Sequence, residues 1–149
     1  MNYKPILIVS GEPFSVFLEL FFKVKKNNNF KKPIIIITSK KLLLSQMKKL
    51  CYNFKINLID KNNINFKKLN NNKINIIDIN FNFKNPFSKI SDKSNIYLNE
   101  CFKISLELLK SNNFSGLING PISKKNFLKG KFLGITEYLS FKTNKKNKT

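Results

Sequence analysis

Gly120-Pro121-Ile122-Ser123-Lys124-Lys125 is the segment of this sequence best equipped for chemistry. Its glycine permits close backbone approach, Ser123 is placed to cap a helix, and two lysines follow at once. A strand-to-helix turn of that composition suits an anionic ligand, phosphate above all. The same residues also make a plain Gly-Pro turn with Ser123 as an N-cap. Gly134-Ile135-Thr136-Glu137 is a second candidate: a hydroxyl beside a carboxylate after a glycine can hold a polar substrate, or can simply begin a helix. Ser10-Gly11-Glu12-Pro13 is a third, with Glu12 as its only ionisable group, and it reads equally as a strand-exit turn.

The sequence has no histidine, and Cys51 and Cys101 stand in unrelated contexts. A histidine base, a nucleophile–histidine pair or a structural zinc cluster cannot be assembled from it, so any acid or base is Lys, Asp, Glu, Tyr or Cys, or lies on another chain. Neither Gly-x4-Gly-Lys-Ser/Thr nor Gly-x-Gly-x-x-Gly occurs, so nucleotide binding through those loops has no support.

The elements that must carry these residues follow from apolar patterning. Residues 6–9, 34–37, 56–59, 74–79 and 115–119 are short apolar runs that read as strands. Helical spacing is predicted over 14–25, with Phe17, Leu20, Phe21 and Val24 on one face, over 40–53 behind Thr38-Ser39, and over 96–110 with a Tyr97, Cys101, Ile104, Leu108 stripe. A short helix is expected over 123–128. Strands without polar alternation, interleaved with helices, predict a mainly parallel sheet covered on both faces. Ligands gather at the carboxyl ends of such strands, which singles out residues 10–13 and 119–125. Residues 1–141 read as one α/β unit and residues 142–149 as a disordered Lys/Asn-rich tail.

With 28 basic against 8 acidic residues the net charge is +20. All the basic residues are lysine, spread along the whole chain, and Asn, Ile and Phe are in similar excess, the imprint of AT-rich codons. Arginine, the residue best suited to paired contacts with phosphate and guanine, is absent, so no specific nucleic-acid site is expected. No apolar run reaches the length of a membrane span and no secretion-signal pattern opens the chain, so a reduced, cytoplasmic setting is expected.

Taken in order, the three segments resemble the 4-hydroxythreonine-4-phosphate dehydrogenase family of vitamin B6 biosynthesis. The family's opening Gly-Asp/Glu-Pro loop is matched by Gly11-Glu12-Pro13, its Gly-Pro-(Ile/Val)-x-Lys by Gly120-Pro121-Ile122-Ser123-Lys124, and its Gly-His-Thr-Glu-(Phe/Tyr) by Gly134-Ile135-Thr136-Glu137-Tyr138. The resemblance implies a three-layer α/β/α fold like that of isocitrate and isopropylmalate dehydrogenases, here truncated, with the C-terminal half absent. It implies substrate contacts from Gly120, Lys124, Thr136 and the position of Ile135, where the family has histidine, with Gly11, Glu12, Pro13 and Glu137 beside them. It further implies a phosphorylated hydroxy-amino acid as substrate, NAD and a divalent metal as cofactors, and a homodimer. The metal ligands and much of the NAD site would lie in the missing half, so the chain is expected to be an N-terminal fragment inactive alone. Phe14-Ser15-Val16-Phe17 replaces the family's small residues and is expected to close off backbone there. Two other functions fit the residues: a basic module binding RNA or another polyanion, and a small phosphate-ligand-binding protein.

Overall fold

In a computed structural model, which describes residues 3–144, every strand is parallel to its neighbours. The elements are β1 (Ile6–Val9), α1 (Phe17–Asn27), β2 (Ile34–Thr38), α2 (Lys40–Lys49), β3 (Ile56–Leu58), a 3-10 turn (Phe66–Lys68), β4 (Ile74–Asp78), α3 (Asp92–Leu109), β5 (Gly116–Asn119), a π-helical turn (Lys124–Leu128) and α4 (Ile135–Asn144). The sheet order is β3-β4-β2-β1-β5. Ile35, Ile36 and Ile37 are successive and all fully buried. Because side chains alternate across a strand, both faces of the sheet must be covered, as the unbroken apolar run predicts.

Chain direction explains the covering. The step from β1 to β2 runs one way across the sheet and the step from β4 to β5 runs the other, so right-handed crossovers put α1 and α3 on opposite faces. The helix α2 follows a step in the same direction as α1 and packs against it. No described helix is long and apolar enough to cross a membrane.

Helix starts follow local polar chemistry. Ser39 Oγ accepts from Leu42 N (3.3 Å) at the start of α2. Ser91 N donates to Ser94 Oγ (3.2 Å), and α3 therefore begins at Asp92, earlier than apolar spacing alone indicates. The helix over residues 40–53 stops at Lys49, because Cys51 takes a positive φ of 57° and turns the chain. Lys142 to Asn144 complete α4 and so are helical rather than part of a disordered tail; the rest of that expected tail, residues 145–149, lies outside the described residues.

The predicted face of α1 is corrected. Leu18, Phe21 and Phe22 are buried, whereas Leu20 and Val24 are about half exposed. Six of the eight residues 17–24 are apolar, so spacing does not fix the phase. Packing does: the Phe22 ring meets Tyr52 at 5.4 Å and Phe54 at 6.1 Å between centroids. Phe22→Ala should therefore cost about 3–5 kcal/mol in urea unfolding. Leu20→Ala should stay within about 0.5 kcal/mol.

Candidate functional site

Because Val9 pairs with Asn119 in register, the loops that leave β1 and β5 emerge side by side at the carboxyl edge of the sheet. Gly120 N donates to Val9 O (2.8 Å) and Glu12 N donates to Pro121 O (2.8 Å). The backbones are so close that a Cβ on Gly120 would stand 2.2 Å from Ser10 O, and one on Gly11 would stand 2.3 Å from Pro121 O. Gly11 also takes φ 76°, which a side chain would oppose. The first two motifs are thus one structural unit.

That contact carries Glu12 inward until the side chain is only 5% exposed. Its Oε1 accepts from Ser123 N (3.1 Å), and its Oε2 is buried without a partner. Burial pushes the Glu12 carboxyl above its ordinary value, with the Ser123 N–H pulling the other way. Ser123 in turn accepts from Asn126 N through its Oγ (3.1 Å). A carboxylate therefore already takes one of the donors on which the phosphate reading of this turn rested. Lys124 and Lys125 are exposed.

A recess of about 590 Å³ opens beside this junction, lined in part by Glu12, Ser15, Ser88, Lys89, Ser123 and Asn126. Phe14 lines this recess and packs onto Phe81 (5.7 Å between centroids), while the Phe17 ring lies so close to Gly120 that an added Cβ would stand 2.9 Å from it. The amide of Gln46, buried on α2, donates to Pro13 O (3.0 Å) and Pro86 O (2.7 Å) and so ties the loop after β1 to the loop before α3.

Behind the loops lies a buried hydroxyl cluster that apolar spacing missed. Ser10 Oγ donates to Thr38 Oγ1 (2.9 Å), Tyr97 OH lies 2.8 Å from Thr38 Oγ1 and 3.3 Å from Ser10 Oγ, and Ser39 N donates to Tyr97 OH (3.1 Å). It ties α3 to the carboxyl ends of β1 and β2. The visible signal was a hydroxyl residue directly after each of two apolar runs. Burial raises the Tyr97 hydroxyl and pushes the Cys101 thiol up to about 12, so neither is poised to ionise.

The third motif opens α4. Ile135 is half-buried, while Thr136 and Glu137 are exposed. Glu137 Oε2 accepts from Leu133 N (2.6 Å), a local bond at the helix start. Tyr138 is buried, meets the rings of Phe102 and Phe127 at 5.6 and 5.1 Å, and donates from its hydroxyl to Asn99 Oδ1 (2.9 Å). Phe127 belongs to the π-helical turn, so this cluster joins the third motif to the second. Among the described residues no group of three or more His, Cys, Asp or Glu could hold a metal ion.

Over residues 29–149 the chain matches the family model of pyridoxal phosphate biosynthetic protein PdxA. Its fold is similar to that of a 4-hydroxythreonine-4-phosphate dehydrogenase from Burkholderia phymatum (TM-score 0.75, 21% identity, 93% of this chain and 43% of that one). A 4-hydroxythreonine-4-phosphate dehydrogenase from Klebsiella pneumoniae is comparable (TM-score 0.73, 17% identity, 93% of this chain and 44% of that one). The chain thus spans less than half the length of these enzymes. No curated protein matches it.

The glycine contact makes Gly120→Ala costly, by about 1–3 kcal/mol, since backbone and not a flexible side chain must yield. Gly116→Ala, with open space around the new methyl, is the control and should be near neutral. Glu12 gives a pH signature. A carboxyl whose folded pKa lies above its unfolded one adds stability below the unfolded value and loses that contribution as pH rises through the folded value. Urea titrations should show the native chain losing stability relative to Glu12→Gln as pH rises from acid to neutral. The opposite trend would mean that the Ser123 hydrogen bond, not burial, dominates.

Proposed function

The chain belongs to the PdxA family of pyridoxal phosphate biosynthetic proteins, and from that premise we propose that it forms the substrate-facing part of an NAD-dependent 4-hydroxythreonine-4-phosphate dehydrogenase. The observation that supports this most is the locking of Gly11-Glu12-Pro13 onto Gly120-Pro121-Ile122-Ser123 at the carboxyl edge of a parallel sheet, with Thr136 following in the family's order. Carboxyl edges are where such sheets hold ligands.

In this reading Gly120 keeps the turn close to β1, the Thr136 hydroxyl hydrogen-bonds the substrate, and Lys124 adds positive charge toward its phosphate. Ile135 stands where the family has histidine and offers only an apolar contact. A divalent metal does not fit these residues, since the sequence has no histidine and the described residues hold no acidic or thiol cluster. Its ligands, and most of the NAD site, would come from residues outside this stretch. NAD, when bound, supplies the hydride acceptor. A cytoplasmic setting and a homodimer complete the proposal. Alone, the 149 residues bind substrate weakly and do not turn it over.

The test pairs turnover with binding. With 4-phosphohydroxy-L-threonine, NAD and a divalent metal, the chain should give no NADH absorbance, and sustained turnover would overturn the claim of inactivity. In calorimetric titration Thr136→Val should weaken binding by about fivefold, the worth of one ordinary hydrogen bond. Ile135→His should strengthen it by a similar factor. Equal affinities for all three chains would remove Ile135 and Thr136 from the site.

A further inference from the structure

Parallel strands are normally buried on both faces, and β5 is covered on only one. Gly116, Ile118 and Gly120 alternate along the chain and so share a face. A Cβ on Gly120 would stand 2.9 Å from the Phe17 ring, which puts that face on the side of α1, opposite α3. Helix α1 does not extend over it. Ile118 is 50% exposed, and a Cβ on Gly116 would meet nothing within 4 Å. Among the described residues β5 is also the last strand on its side of the sheet.

The wall of this gap is apolar as well. Leu20 and Val24 follow Phe17 by three and seven residues and lie on the same flank of α1, with Val16 one turn before Leu20. Val16, Leu20 and Val24 are 62%, 51% and 45% exposed and form one ridge at i, i+4 and i+8. The packing of α1 is made on its other flank, where Phe22 meets Tyr52 and Phe54. The result is a groove with Gly116 and Ile118 as its floor and the ridge as its wall.

Charge gathers at one end of it. Helix α1 runs against β1, so Lys26 in its last turn stands at the amino edge of the sheet. Ser115, directly before β5, donates from Oγ to Lys4 O (2.8 Å) and accepts from Lys32 Nζ (3.3 Å). All three lysines are exposed. A second copy of the chain fits poorly here, since it would bring its own net charge of +20. Four half-exposed side chains also fall far short of the ~800 Å² that each member of a stable dimer buries. One helix needs less area, and the negative end of its dipole would meet the lysines.

We propose that this groove seats one amphipathic helix from outside these 149 residues, apolar toward Leu20 and Ile118 and acidic at its carboxyl end. The inference does not depend on the substrate assigned above.

Backbone-amide NMR titration of the 149-residue chain tests it. The probe is an amphipathic peptide of about five helical turns, with leucines along one face and glutamates in its last turn. At about 0.5 M salt, where diffuse attraction is screened within a few ångströms, the amides of Val16, Leu20, Val24 and Ile118 should shift saturably. Leu20→Ser should weaken the peptide by about fivefold, the worth of the half of that side chain left exposed. Should Leu20→Ser fail to fold, Ile118→Thr takes its place with the same expectation. A scrambled peptide of equal charge that binds as well, or no shift at about 1 mM peptide, would overturn the proposal. Moving the glutamates to the first turn should weaken binding, and equal affinity would overturn the acidic-end assignment. If sedimentation finds the native chain dimeric and Leu20→Ser monomeric, a second copy covers the groove and the helix proposal falls.

Discussion

The close passage of the β1 and β5 loops is the constraint on which the rest of the site depends. Two backbones meet where neither can carry a Cβ, and the hydrogen bonds from Glu12 N to Pro121 O and from Gly120 N to Val9 O hold them there. That geometry draws Glu12 out of water, sets its carboxylate on Ser123 and fixes one side of the recess. Strand β5 lies beside β1 but follows it by more than a hundred residues, so the junction is a long-range contact with a correspondingly large loop-closure cost. The loop-closure entropy is spent on the sheet, and the site inherits its rigidity from it.

The hydroxyl cluster serves the same end from behind. Ser10 is both the residue before Gly11 and a member of the cluster with Thr38 and Tyr97. The point where β1 ends is therefore held from two directions, by the β5 loop above and by α3 beneath. Buried polar groups that satisfy one another specify a single arrangement more sharply than apolar contacts do, since every displacement exposes an unpaired donor or acceptor.

Strands and motifs were readable in the sequence because their signals are local. Runs such as Ile34–Thr38 have no polar alternation, and only a strand buried on both faces needs that pattern. The two loops at the carboxyl edge were readable for the same reason, being where those runs stop. The phase of α1 was not, because a segment apolar at six of eight positions offers several faces and the aromatic pair Tyr52 and Phe54 chooses among them. Nor was the partner of Glu12, which lies 111 positions away on Ser123. Residue types announced a turn with spare N–H donors; only the fold revealed that a carboxylate from the other end of the chain takes one of them.

This changes how the net charge of +20 is to be understood. Of eight acidic side chains, Glu12 is buried on Ser123, Glu19 pairs with Lys23, and Asp60, Asp78 and Glu137 accept from backbone N–H groups of Asn62, Lys40 and Leu133. Most of the acids thus have a local partner, four of them a backbone N–H and one a lysine. The positive field follows from 28 lysines against eight acids. Such a field attracts any anion over a Debye length, but it does not select one. Groups held in fixed positions at the carboxyl edge include the Glu12 carboxylate and the Ser123 turn.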